Sequence, residues 1–247
     1  MMSQHFLLSP QARTLSLAKV MRMSDDQAYE AFKSIRWAAN DGAPVCPKCG
    51  GFVVCEFKAR RIFKCKACNG QFSVTSGTIF ASRKMAIRDI LGAIAVFVNG
   101  AKGHSALQLS RDLDCDYKTA FVLTHKLREA MSSAREKALS GEVQIDGAYF
   151  GGYVKPANRK EDRVDRRLAR NQNGKRQVVV VSRLRRAEIG IHHHIAGPYL
   201  SAYAAEMGWR EDRRRVSNGE QFLAATAAAL GHPVSRQWKG YWQPSAA

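Results

Sequence analysis

The 247-residue sequence predicts an α+β chain of several modules: a cysteine-rich ribbon, a helical region and an incomplete α/β core. Three observations carry this. Cys46, Cys49, Cys65 and Cys68 form two C-x-x-C pairs with fifteen residues between them. Residues 86–135 hold apolar positions at helical spacing. EVQIDGAYFGGY, residues 142–153, alternates like a strand up to Asp146, and only one strand-like run, KRQVVVV, follows it. The predicted boundaries are 1–43 for an N-terminal helical segment, 44–80 for the ribbon, 81–140 for the helical region and 141–247 for the core.

The formal charge is +18, a surplus that attracts polyanions, nucleic acid foremost. There is no apolar run of about 18 residues, so no membrane span or membrane partner is expected. MMSQHFLLSPQARTLSLAKVMRM lacks the charged-then-apolar pattern of a secretory leader. Paired C-x-x-C knuckles suit a metal site in a reducing compartment better than a disulfide framework. A cytoplasmic, nucleoid-associated location is the expectation.

SDDQAYEAFKSIRWAAN, residues 24–40, reads as a helix, with Ser24 and Gln27 as a capping box and Ala28, Tyr29, Phe32 and Ile35 on its packing face. The four cysteines then suit a closed tetrahedral zinc site, structural because no ligand position stays open. FVVCEF and RIFKC read as the hairpin between the knuckles, with QFSVTSGTIF continuing beyond. Cys55 and Cys115 fall outside the cage and are expected in the core.

A short helix from Ser105 to Leu113, the turn DCD and a longer helix from Tyr117 follow helix-turn-helix grammar. Lys118, Thr119, His125, Lys126 and Arg128 on the second helix are then candidates for DNA contact. The alternative is a helical connector with a solvated charged face.

Between Tyr153 and Arg186, twelve Lys and Arg oppose three acids, which concentrates half of the formal excess in one block. Arg159, Lys160, Arg163, Arg166 and Arg167 suit phosphate-backbone contact there. SRLRRAEIG and HHHIAGPYLSAYAAEMGWREDRR read as helices, with Pro198 near a helix start. His192, His193 and His194 read as a cluster at a helix start or facing DNA, rather than a metal site. VSNGEQFLAATAAALGH reads as a further small helix, and Trp238, Tyr241 and Trp242 in the tail are expected to pack.

With these pieces in order, the chain resembles the insertion-sequence fifteen-ninety-five family of bacterial transposases. AYEAFKSIRWAANDGAPVCPKCG, FKCKACNGQFSVTSGTIFASRKM, VNGAKGHSALQLSRDLDCDYKTAFVLTHKLREAM, QIDGAYFGG, RKEDRVDRRLA and GIHHHIAGPYLSAYAAEMGWREDRRRVSNGEQF carry the resemblance. It implies a zinc-ribbon head, a helix-turn-helix and an RNase H-like DDE-type domain acting on insertion-sequence ends. It also implies two Mg2+ held by acids from separate elements, with Asp146 at the first position and Arg185 or Arg186 as the basic member of the last catalytic helix. Such enzymes use one ion to activate the attacking oxygen and the other to stabilise the leaving one.

The chain departs from that pattern after KRQVVVV. Where the family continues through further strands to its second and third metal residues, Val181 runs directly into SRLRR. An in-frame internal deletion is the inference, with a zinc-binding head that folds and a compromised back half. One carboxylate does not position two magnesium ions. The readings that remain are an active transposase, a non-catalytic DNA-binding competitor of the full-length enzyme, alone or in homo- or mixed oligomers, and an inert pseudogene product.

Overall fold

The computed structural model describes residues 6–134, 184, 187–192, 195 and 197–238. Asp146, the basic block with Arg159, Lys160, Arg163, Arg166 and Arg167, the KRQVVVV run, Arg185, His193, His194, Tyr241 and Trp242 lie outside the described residues.

Chain order runs through helices α1 (Leu17–Met21) and α2 (Asp25–Arg36), strands β1 (Val54–Phe57), β2 (Ile62–Cys65) and β3 (Gln71–Ser73), then helices α3 (Ile87–Asn99), α4 (Ala106–Asp112) and α5 (Tyr117–Ser133). Two C-terminal helices follow, α6 (Leu200–Asp212) and α7 (Asn218–Gly231). The capping box read at the start of α2 is present: the Gln27 backbone N–H donates to Ser24 Oγ, and the Gln27 side chain accepts from the Ser24 N–H. Ser105 likewise caps α4, and α5 begins at Tyr117 after the DCD turn.

α3 organises the packing. Nine of its thirteen residues are buried, leaving only a narrow side with Arg88, Asp89 and Asn99 open, and so broad an apolar surface must be covered from several directions. α1, α2 and α7 supply that cover, while α5 packs against α4, α6 and α7. One hydrophobic cluster therefore joins Phe32 of α2, Ile94 and Phe97 of α3, Leu127 of α5, Trp209 of α6 and Phe222 and Leu230 of α7. The same cluster reaches the ribbon through Phe63 and Phe72.

The expectation of a compromised back half falls mainly on residues outside the described ones; the described C-terminal residues pack on the helical body. Trp209 is fully buried, α6 packs against α5, and α7 packs against α2, α3 and α5. The described residues of the SRLRRAEIG segment are helical as read, with Leu184 and Ala187 in α-helix and Glu188–His192 forming a π-helical turn. Among the described residues the only sheet is the three-stranded antiparallel one of the ribbon, ordered β1-β2-β3.

Candidate metal centre and nucleic-acid interface

The two cysteine knuckles are built alike. In the first, the Cys46 N–H donates to the Gly51 carbonyl and Gly50 N–H returns to Cys46 O. In the second, the Cys65 N–H donates to the Gly70 carbonyl. Gly50 (φ 71°) and Asn69 (φ 55°) occupy equivalent left-handed positions after each pair. The next residue is glycine both times because the sulfurs crowd it. A Cβ on Gly51 would lie 3.2 Å from Cys65 Sγ, and one on Gly70 would lie 3.3 Å from Cys68 Sγ.

These turns bring all four Sγ atoms within 4.8 Å of one another. Cys46 and Cys68 sulfurs stand 3.7 Å apart, and Cys49 and Cys65 sulfurs 3.6 Å apart. A tetrahedral ion with bonds of about 2.3 Å separates its sulfurs by about 3.8 Å, so the cage has the dimensions of a Zn2+ site. Backbone N–H groups point into it. Burial alone would push the Cys46 thiol up, but the Cys49 and Lys48 N–H groups and the neighbouring thiols lower it to about 7. Cys65 is also lowered, first by the Cys68 N–H. Cys49 goes the other way: the Gly51 N–H lowers it, but the Cys68, Cys65 and Cys46 thiols push it up to about 12, so a zinc ion would have to displace its proton. All four ligand positions are protein sulfurs, so the ion would hold the fold and leave no position for substrate.

The cage is fixed to the helical body by its inner face. Trp37, at the end of α2, meets Phe63 edge-on with centroids 5.6 Å apart, and Phe63 lies 5.4 Å from Phe72. Arg36 donates to the Ser73 and Ser76 carbonyls while its guanidinium covers the Trp37 ring. Cys55 is not in this core. Its partner across β1–β2 is Lys64, on the outer face, whereas Val54 pairs with Cys65; Cys55 is therefore exposed. Cys115 does pack against the core, half-buried.

On α5, Lys118 is exposed and Lys126 half-buried. Arg128 does not belong to any DNA-facing surface. It is 1% exposed, its Nε donates to Glu206 Oε2 at 2.7 Å, and its guanidinium covers the Tyr203 ring at 4.0 Å. Glu206 is itself fully buried and accepts from Arg210 Nε at 2.9 Å through its second oxygen. Arg210 spends its remaining donors on the carbonyls of Phe97, Val98 and Gly100, the unsatisfied C-terminal end of α3. Burial would raise the Glu206 carboxyl, but Arg128 and Arg210 hold it below its ordinary value.

His125 is likewise turned inward. It stacks on Trp238 at 4.4 Å and touches Phe121, Tyr199 and Tyr203, with neither ring nitrogen hydrogen-bonded. His192 meets the Tyr203 ring at 4.6 Å, so it lies in this cluster and not on a DNA-facing one. Burial lowers His125 to about 2 and His192 to about 4, with Arg128 adding to both. Trp238 packs, as expected, at 3% exposed.

A tetrahedral four-sulfur cage on a three-stranded antiparallel sheet defines a zinc-ribbon protein. Parts of the chain are similar to transposase domains. Residues 23–71 match the model of the "Transposase zinc-ribbon domain", and residues 177–212 match that of the "ISXO2-like transposase domain". A protein of Halobacterium salinarum, described as "Uncharacterized protein in transposable element ISH50", is 26% identical over 155 residues, 62% of this chain and 51% of that protein. The chain thus spans about half the length of the curated relative it matches. No solved structure matches it. Two separate stretches of the chain are thus similar to transposase domains of the insertion-sequence fifteen-ninety-five type, and the relative comes from a transposable element. No helix among the described residues is long and apolar enough to cross a membrane.

Proposed function

We propose that this chain is a DNA-binding transposase-family protein that recognises insertion-sequence ends and does not cut or join them. The zinc cage within a transposase-type ribbon carries the first half of the reading. α4 and α5 are read as a helix-turn-helix, with Lys118 and Lys126 toward duplex phosphates and Arg159, Lys160, Arg163, Arg166 and Arg167 adding sequence-independent affinity. Arg128 drops out of this set because its charge is committed to Glu206.

Loss of catalysis rests on the acids. Asp146 would supply one Mg2+ ligand and Arg185 the basic partner, yet valines occupy 179–181, where a third metal residue is expected. The acids downstream are poor replacements. Glu206 is locked between two guanidiniums, and Glu211 pairs with Arg214 at 2.9 Å. Among the described residues, the four cysteines are the one group of three or more ligand side chains close enough to share an ion. An internal deletion after Val181 accounts for this arrangement, and competition with a full-length transposase, alone or in a mixed oligomer, is the role that remains.

The test uses zinc-loaded protein, labelled element-end duplex and Mg2+ or Mn2+. A retarded complex without nicked or joined product is expected, and any product defeats the non-catalytic reading. Cys46→Ser or Cys65→Ser should abolish binding while Asp146→Asn leaves it intact; equal loss from both would defeat the assignment of binding to the head.

A further inference from the structure

The ribbon has a second face that the cage does not use. Strand register assigns Val54, Phe63, Cys65 and Phe72 to the inner side, against Trp37 and the ion site. The outer side carries Val53, Cys55 and Phe57 along the edge strand, with Ile62, Lys64 and Lys66 beside them and Gln71 and Ser73 beyond. Val53 is 63% exposed and Phe57 41%, and Phe52, just before the strand, is 69% exposed. Apolar side chains this open on a sheet edge form a recognition strip rather than core.

The charges around the strip select its occupant. The Arg60 guanidinium lies 5.8 Å above the Phe57 ring, Lys58 and Lys66 are exposed, and Lys64 stands opposite Cys55. Between residues 44 and 73 there are six Lys and Arg and a single acid, Glu56. Four thiolates on a divalent ion contribute two negative charges, and the ribbon stays positive after that subtraction. A second copy of the chain would bring the same cations and be repelled; a polyanion is attracted. Duplex DNA keeps its base faces stacked inside and offers nothing to Phe57, whereas an unpaired strand offers both phosphates and open base faces.

We infer that the outer face of the ribbon is a binding site for single-stranded nucleic acid. Bases stack on Phe57, and phosphates lie along Lys58, Arg60, Lys64 and Lys66. This site goes beyond the duplex-binding reading and is separate from α4 and α5, so the two can fail independently.

The experiment is fluorescence anisotropy with full-length, zinc-loaded protein, using a labelled oligo-dT and a blunt duplex of equal length at one fixed salt concentration. Wild type should bind both. Phe57→Ala should weaken oligo-dT binding by at least about fivefold, the lower end for one lost base stack, and leave duplex affinity unchanged. Phe57→Trp should restore it, and Lys118→Ala should show the opposite selectivity. Because Phe57 is exposed, bound zinc should stay at wild-type level. The inference is overturned if wild type does not bind oligo-dT, if Phe57→Ala binds it normally, or if Phe57→Ala weakens both ligands equally. It is also overturned if sedimentation shows a dimer that Phe57→Ala converts to monomer with oligo-dT binding unaltered, because the strip then belongs to a second copy.

Discussion

Replacing Glu206 by Gln keeps the side-chain shape and removes the only negative charge between two buried guanidiniums. Its two oxygens accept from Arg128 and Arg210 at 2.7 and 2.9 Å, and the three side chains are 0%, 1% and 4% exposed. Removing one partner of a buried ion pair costs about 3–5 kcal/mol, because the remaining charge has no water to return to. Here Arg210 retains three carbonyl acceptors at the end of α3, and Arg128 retains the faces of Tyr203 and Phe97. The loss should therefore fall toward the lower end, about 3 kcal/mol, a large share of the 5–15 kcal/mol typical of a folded domain. Urea unfolding of the zinc-loaded protein, followed through the buried Trp209, measures it. Glu211→Gln, which breaks the half-exposed pair with Arg214, is the control and should cost less than about 1 kcal/mol. Adding Arg128→Met to Glu206→Gln should recover part of the loss, because it removes the stranded charge while Arg210 keeps its carbonyls. If Glu206→Gln costs no more than Glu211→Gln, the joint between α5, α6 and α3 is not held as described.

The buried histidines make the fold acid-labile. His125 and His192 are held neutral well below the ordinary imidazole value, whereas the unfolded chain protonates them below about 6.5, so stability is full above that pH and declines as pH falls toward about 4. The upper figure is about 2 kcal/mol for each at pH 5; His125→Phe should flatten the pH dependence of the urea midpoint, and an unchanged slope would refute the assignment. Stripping zinc with a chelator should remove hydrogen-exchange protection from β1 and β2 while amides of α3 stay protected, and simultaneous loss in both would show that the ribbon and helical body do not separate. Ser217→Ala removes the capping box that joins Ser217 to Glu220 at the start of α7 and should cost about 1 kcal/mol in the same urea titration.

Local chemistry was legible in the sequence and long-range chemistry was not. The α2 cap, the four-cysteine cage and the α4–turn–α5 break depend on residues within a few positions of one another or on a spacing with one geometric solution. Arg128 and Glu206 lie 78 positions apart. Nothing in LTHKLREAM distinguishes an arginine that reaches inward from one that faces a groove. The signal available was Tyr203, Glu206 and Arg210 on one face of α6, at i, i+3 and i+7, an unusual amount of polarity for a helix side that also holds Met207. Cys55 was misread for a simpler reason. A strand's parity decides which side chains face inward, and the parity of β1 is set by its pairing with Cys65, not by its own composition.

The same distinction explains how the described C-terminal residues pack against helices. A helix such as α6 needs an apolar surface and partners for its polar atoms, and it does not matter to Trp209 or Met207 whether a sheet or another helix supplies them. α3 has a broad apolar surface and unsatisfied carbonyls at its C-terminal end. α7 and Trp209 join the apolar cluster around it, and Arg210 binds the carbonyls of Phe97, Val98 and Gly100. Asn218 ties the start of α7 to the other end of the chain, accepting from the N–H groups of Thr14 and Leu15 and donating to Leu15 O. The described contacts that stabilise this arrangement run from the N-terminal segment through α3 and α5 to α7. The packing of the described residues on this basis rests on helix–helix contacts and on the Glu206 ion pairs.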